Sequence, residues 1–391
     1  MSRLEELIQE LCPNGVKFFT VKELTKKKTI KTITPSIKIK RNDYEEYGIT
    51  PIISQELEYI SGYCDFFDNS IPTNNYVCFG DHSEHIKFVD FAFVQGADGL
   101  KIMSLDEEKL MSKFFYYAIS SFYVRHNNYE RHFKYLNDTE IPVPPLEVQR
   151  EIVRILDSFT LLTAELTEEL TARKKQYEYY RDDLLKFDHL IPMVTLGDVA
   201  TVTKLAGFEF TKYVNYSDEG KIIALRGLNV KNGKLDLTDV KYIDNSDLSK
   251  LSRSKLHIGD MIFTYVGTIG QVALIDKEDK YYLAPNVALI RSTTDKLIPE
   301  YMRYYFQSGQ FWHMQINKLL QSSSMKNIPM EKIRKFKLPL PSIETQKRLV
   351  KVLDNFDAIC SDLNIGLPAE IEARQKQYEF YRDKLLSFKQ L

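Results

Sequence analysis

The chain has 391 residues, 43% hydrophobic and 27% charged, with 53 Lys and Arg against 54 Asp and Glu. That length admits two or three domains with cores of their own, and no apolar run reaches the roughly 18 residues that a membrane-spanning helix needs. With a net charge of −1, any nucleic-acid surface has to come from basic groups concentrated locally or shared with a partner.

The first residues, Arg3 to Leu7, are amphipathic and acidic, unlike a secretory signal. The scattered cysteines Cys12, Cys64, Cys78 and Cys360 read as reduced thiols of a cytoplasmic protein. Residues 12–140 carry short β-branched and aromatic runs at 49–53, 76–79 and 88–94, turn signals at 79–81 and 96–99, and a helical pattern at 107–123. Residues 190–337 repeat this order with different letters: strands at 222–225, 261–265 and 287–290, then a helix at 299–307. Both segments are predicted to be mixed α/β with a β-rich centre.

The helical parts repeat more closely. Segments 172–187 and 373–388 are identical at 12 of 16 positions. The echo extends upstream, with 141–149 matching 338–346 and 156–159 matching 353–356. The offset is 197 residues upstream and 201 downstream, so the second copy has four extra residues near 368–371. Such a long-period repeat sets the architecture.

In the first copy Val148, Ile152, Ile155, Phe159, Leu162, Leu166, Leu170, Tyr177, Tyr180, Leu184 and Phe187 fall at the three- and four-residue steps of a coiled-coil seam. A continuous helix over 147–187 would span roughly 60 Å. Gly366 and Pro368 predict a break or kink in the second copy alone. Residues 3–11 resemble the tail 181–187, and 19–24 resemble 194–199. The N-terminus thus starts inside a repeat unit whose missing piece closes the C-terminus. The fold class expected is α+β: two mixed α/β heads joined by two long helices in an antiparallel coiled coil, pseudo-two-fold and circularly arranged.

Basic residues concentrate in two places. Between 26 and 41 there are seven, Lys26, Lys27, Lys28, Lys31, Lys38, Lys40 and Arg41, and no acid. Between 301 and 343 there are seven against the single acid Glu331, interleaved with Tyr304, Tyr305, Phe306, Phe311 and Trp312. Such patches suit phosphate contacts, and a solvated loop is the plain alternative. Two further stretches strengthen the DNA reading. Arg125, Asn127, Asn128, Arg131 and Lys134 form one; Gln321, Ser322, Ser323, Ser324, Lys326 and Asn327 form the other. Their guanidinium, amide and hydroxyl groups can reach base edges.

Signals for catalysis are weaker. Cys64, Cys78, His82 and His85 offer sulfur and nitrogen, but the 13 residues between the cysteines match no standard zinc spacing, so no metal site is expected. Residues 267–270 are too short for a phosphate loop and read as a turn, and 276–280 read as a hairpin turn. No dinucleotide fingerprint, Walker sequence or Asp/Asn-Pro-Pro-aromatic aminomethylase motif is present. The one Pro-Pro pair, Pro144-Pro145, follows Val143 and leads into the helix. No catalytic residue is assigned.

The helix entry at 142–152 (Pro-Val-Pro-Pro-Leu-Glu-Val-Gln-Arg-Glu-Ile), the repeat at 163–172, the block at 172–181, its second copy from Gly366 to Leu386 and the start at 4–15 resemble the specificity subunit of type I restriction-modification systems. The resemblance is specific in the helical blocks and architectural in the heads. It implies target-recognition domains at 1–140 and 188–337, coiled-coil helices at 141–187 and 338–391, and a bipartite, asymmetric DNA site whose spacer the coiled coil sets. It also implies two modification subunits binding S-adenosylmethionine, and restriction subunits using ATP and magnesium, with no catalysis or cofactor in this chain. Tyr177, Tyr180, Tyr378 and Tyr381 at the helix ends are candidate anchors for those partners; packing of the helix pair is the other reading. The rival functions are a coiled-coil scaffold with two protein-binding heads, or an enzyme with an unfamiliar active site.

Overall fold

The computed structural model describes every residue except Met1, 66–69, Ala97, His189, Ala206, 322–326 and Leu363, and omits the side chains of Thr211 and Gln321. The chain divides into two compact units, Met1–Thr167 with Glu370–Leu391, and Glu168–Ala369.

In the first unit, alternating apolar residues build a four-stranded antiparallel sheet. Its order is Ile30–Ile33, Leu100–Leu105, Tyr76–Gly80, Ile86–Val89, with Val77 opposite Met103 and Phe88. A three-stranded sheet follows, Gly62–Cys64, Thr50–Ile53, Val94–Gln95, its first pair antiparallel and its second parallel. Lys17–Thr20 pairs with Glu140–Val143. The main core sets Phe114, Phe115, Ala118 and Ile119 of helix Ser112–Phe122 against Val77, Phe79 and Met103, with Val148, Ile152 and Leu156 closing it. Leu386 completes this core from the far end of the chain. Close by, the Val16 amide donates to the Lys389 carbonyl and the Leu391 amide to the Val16 carbonyl, so the chain ends meet as the circular arrangement requires.

The second unit repeats this order, with one added hairpin, Val230–Lys231 paired with Lys234–Leu235. Its four-stranded sheet runs Ala200–Lys204, Val287–Ser292, Met261–Thr264, Val272–Leu274. Its three-stranded sheet runs Lys241–Tyr242, Ile223–Leu225, Tyr281–Leu283, again one antiparallel and one parallel pair. Met193–Thr195 pairs with Lys337–Pro339. One turn differs from expectation. Residues 276–280 do not close a hairpin, because Val272–Leu274 and Tyr281–Leu283 belong to different sheets. The segment crosses between sheets so that Tyr281 and Leu283 can join Ile223 and Leu225 in a second core.

Helix Leu146–Leu184 is continuous over 39 residues, whereas the second copy is split into Ile343–Ser361 and Leu367–Leu386. The expected break is there, but its chemistry is different. The first helix ends before Asp362, and the Asp362 carboxylate accepts the Asn364 and Ile365 amides at 2.7 and 3.2 Å, a side-chain turn that competes with helix. Gly366 opens the second helix rather than capping the first. A Cβ there would lie 2.5 Å from the Ala358 carbonyl oxygen.

The repeated helix blocks hold each head by the same contacts. The Gln149 carbonyl oxygen accepts the Met111 amide at 2.9 Å while its NH2 donates to Pro144 O at 2.8 Å; Gln346 does the same with Ile298 and Pro341 at 2.9 and 2.8 Å. Both glutamines are fully buried, and each satisfies groups that would otherwise be orphaned. Leu185 and Leu386, also equivalent, are both 0% exposed; truncating either to Ala would cost about 2–5 kcal/mol.

Candidate nucleic-acid interface

In the first unit, helix Ser112–Phe122 ends at Tyr123 and the chain runs through 124–132 before helix Phe133–Asp138. This loop is fastened to the turn that follows strand Tyr76–Gly80. Buried Glu84 accepts the Tyr123 hydroxyl at 2.6 Å, the His126 amide at 2.9 Å and the Asn127 amide at 2.8 Å. Burial pushes the Glu84 carboxyl up, but the bonds from Tyr123, His126 and Asn127 outweigh it and hold it below the usual range. Asp81, also buried, accepts the Phe133 amide at 2.9 Å on its carboxylate and the His132 amide at 2.7 Å on its carbonyl. Fully buried His132 faces Asn128 Oδ1 at 2.8 Å. Glu84 and Asn127 adopt φ of 57° and 55°, a left-handed geometry that non-glycine residues hold only where surroundings enforce it.

The candidates on this loop have separate fates. Arg125, Asn127 and Arg131 are exposed, and among the described residues neither arginine has an ion-pair partner. Asn128 is engaged on both sides of its amide, by His132 and, at 2.9 Å, by Glu130. Lys134 pairs with Glu130 at 2.7 Å and lies 4.6 Å from the Tyr135 ring. Bonds from Lys134, Asn128 and Tyr135 pull the Glu130 carboxyl down to about 2.

The basic run 26–41 is spread along the head. Lys27 and Lys28 follow helix Val21–Lys26, with the Lys27 ammonium 3.6 Å over the Phe19 ring. Lys31 is exposed on an edge strand, and Lys40 is exposed beyond it. Arg41 pairs with Glu56 at 3.3 Å, and Lys38 with Asp98 at 2.7 Å. Lys38 and Arg131 come together on one polar cavity of about 350 Å³, with Asp81, His82, Gln95 and Lys101. Cys64 and Cys78 sit in different apolar cores, burial pushes the Cys78 thiol up to about 12, and no group of metal-holding side chains occurs among the described residues.

In the second unit the stretch 321–327 lies mostly outside the described residues: Ser322, Ser323, Ser324 and Lys326 are not placed, and of Gln321 only the backbone, ending helix Asn317–Gln321, is. Asn327 bridges Val266, and the Ile328 amide donates to Tyr265 O at 2.9 Å. Residues 267–270 do form a turn, with Gly267 and Gly270 at φ of 77° and 87°. That turn follows strand Met261–Thr264, the topological counterpart of Tyr76–Gly80, so Asn327 and Ile328 lie beside the turn of the second head that corresponds to the one holding 124–132 in the first. The aromatics of 301–343 need correction as DNA-facing groups. Tyr304, Tyr305, Phe306 and Phe311 are at most 2% exposed, because helices Pro299–Gln307 and Gly309–Phe311 pack their rings into the main core with Phe263 of the sheet and Phe336. Arg303 is nearly buried, 4.0 Å over the Tyr304 ring.

The helix-end tyrosines are all packed within the chain. Tyr177 and Tyr378 lie against the two main cores. Tyr381 stacks on Phe159 at 5.4 Å, and Tyr180 on Phe356 at 5.7 Å, one contact repeated with the partners' copies exchanged. Sequence reasoning passed over their neighbours: Tyr179 and its equivalent Phe380 are 67% and 62% exposed.

Two heads of one topology, each mounted on a repeated helical block and the first carrying a tethered basic loop, define a two-headed recognition protein. The sequence profile described as type I restriction modification DNA specificity domain matches this chain twice, over residues 13–173 and 191–373. The type I restriction enzyme EcoR124I/EcoR124II specificity subunit of Escherichia coli is 29% identical over 407 residues, covering 99% of this chain and 97% of that protein. Among solved structures, the S subunit of a type I restriction-modification system from M. genitalium covers 96% of this chain and 97% of its own at a TM-score of 0.54 and 13% identity. A chain from a study of complex assembly and conformational transition of the type I R-M system covers 96% and 98% at 0.58 and 15%. The chain belongs to the type I restriction-modification specificity family and carries two target-recognition domains. These likenesses support that reading over a scaffold with two protein-binding heads.

Proposed function

We propose that this chain is the non-catalytic DNA-reading subunit of a type I complex, each head reading one half of a split, asymmetric sequence and the helices setting the spacer. The observation that carries it is the contrast between heads and scaffold. Strand order and the Gln149 and Gln346 anchors repeat, while the candidate stretches differ in sequence, arginine-bearing at 125–134 and serine-rich at 321–327. Equal mounts with unequal loops suit two different half-sites on one duplex.

In this reading two modification subunits supply S-adenosylmethionine, and restriction subunits supply ATP- and magnesium-dependent translocation and cleavage, in the cytoplasm. The partners dock at the helix ends bearing Tyr177, Tyr180, Tyr378 and Tyr381, where Tyr179 and Phe380 offer exposed rings of the kind that anchor interfaces. Replacing residues 12–140 with the first head of another member, followed by methylome sequencing of cells expressing the complete system, tests this. One half of the methylated sequence should change; change in both halves would refute modular reading. The purified chain alone should transfer no methyl group, and should support transfer when two modification subunits are added.

A further inference from the structure

We propose that loop 124–131 is the DNA-contacting element of the first head, with Arg125, Asn127, Tyr129 and Arg131 as its contacting side chains and Glu84, Asn128 and His132 as its positioning residues. This deepens the DNA-recognition reading above and rests on it.

The polar side chains of the loop fall into two sets. His126, Asn128, Glu130 and His132 are engaged within the head: His126 stacks on Tyr135 at 3.9 Å, Asn128 bonds His132 and Glu130, Glu130 bonds Lys134, and His132 is fully buried. Arg125, Asn127, Tyr129 and Arg131 are exposed and have no side-chain hydrogen bond or ion pair among the described residues. The left-handed Asn127 and the bend at 128–130, held by Glu84 and His132, leave these four side chains without partners while their neighbours are fixed. Tyr129 is 92% exposed, yet its ring stacks on His82, whose Nδ1 donates to the Glu130 carbonyl at 3.0 Å.

The free groups suit one ligand. Two unpaired guanidiniums match phosphate oxygens or guanine, and an unengaged amide matches adenine. A tethered ring adds an amphipathic contact at little entropic cost. The acids nearby are compensated, Glu130 by Lys134 and Asp98 by Lys38, so the arginines set the local charge. Arg125 to Arg131 extends at most roughly 20 Å, the rise of about six base pairs, which fits a half-site.

The test uses the full chain in the complete modification system. Arg125→Ala, Asn127→Ala, Tyr129→Ala and Arg131→Ala are expressed singly, and methylomes and binding of the assembled complex to its own site are measured. Loss of a bidentate base contact should weaken discrimination at that base roughly 5- to 150-fold, and an arginine that contacts only phosphate should lower the salt-dependence slope by about one. Any motif degeneracy should fall in one half-site only. Glu84→Ala should relax that same half while leaving the other half methylated, and Glu84→Gln, which keeps an acceptor for the loop amides, should restore most of it. An unchanged motif and affinity in all four contact variants would overturn the proposal, as would equal relaxation of both halves. Failure of the wild-type complex to bind DNA sequence-specifically would instead overturn the underlying recognition reading.

Discussion

The Tyr117 hydroxyl donates to the Asp157 carboxylate at 2.6 Å, tying a head helix to the long helix at a half-buried site that Lys113 also reaches at 2.8 Å. Tyr304 and Asp354 form the same bond at 2.5 Å in the second unit. Tyr117→Phe removes a hydrogen bond to a charged acceptor and keeps the ring, so it should destabilise by about 1–3 kcal/mol. Tyr304→Phe should do likewise, and the double variant should be additive because the two sites share no partner. Chemical denaturation of the four proteins checks this; a coupling above about 1 kcal/mol would contradict independence.

Gln149 shares its amide among Met111, Pro144 and Lys109. Gln149→Leu keeps the volume and strands a buried amide and carbonyls. Each orphaned group costs about 1–3 kcal/mol, so the variant should lose several degrees of thermal midpoint, measured by circular dichroism. Gln346→Leu should show the same loss, through Ile298, Pro341 and Lys296.

The pH dependence of the first head follows from its lowered carboxyls. Glu84 is held below its usual range, and Glu130 down to about 2. A depressed folded-state value means that the contribution is complete above the unfolded value, near 4.3, and is lost as pH falls through the folded one. Wild type should therefore keep its stability margin over Glu84→Gln from pH 8 to about 5, and lose it progressively as the pH falls further. Thermal unfolding across that range measures the margin; a margin growing on acidification would have the wrong sign.

Helix Leu146–Leu184 has no break, and its 163–170 segment repeats with a four-residue period. Inserting Thr-Ala-Glu-Leu after Leu170 keeps the leucine seam in phase and adds about 6 Å of rise. If the helices set the spacer, it should lengthen by roughly one to two base pairs at about 3.4 Å each, with both half-sites unchanged and some affinity lost to rotation around the duplex. Two inserted residues should instead turn the seam away and impair folding. Mapping methylated sites decides; an unchanged spacer would show that the helices do not act as a ruler.

The sequence alone determined the repeat, the long helices, the break near Gly366, the meeting of the chain ends and the family, because these reside in local pattern. Residues 172–187 and 373–388 need only be compared letter by letter, and helical period depends on neighbours three and four apart. Tertiary structure decided which charges are free. Lys38 is satisfied by Asp98, 60 residues away, and Arg41 by Glu56, while Arg125 and Arg131 are left open; composition cannot distinguish them. It also decided that Tyr304, Tyr305, Phe306 and Phe311 are core rather than surface, since an aromatic run beside basic residues reads alike until a sheet is packed against it. Arg125, Asn127, Tyr129 and Arg131 are left without side-chain hydrogen bonds while Glu84, Asp81 and His132, brought in from a distant turn and the next helix, hold the rest of the loop.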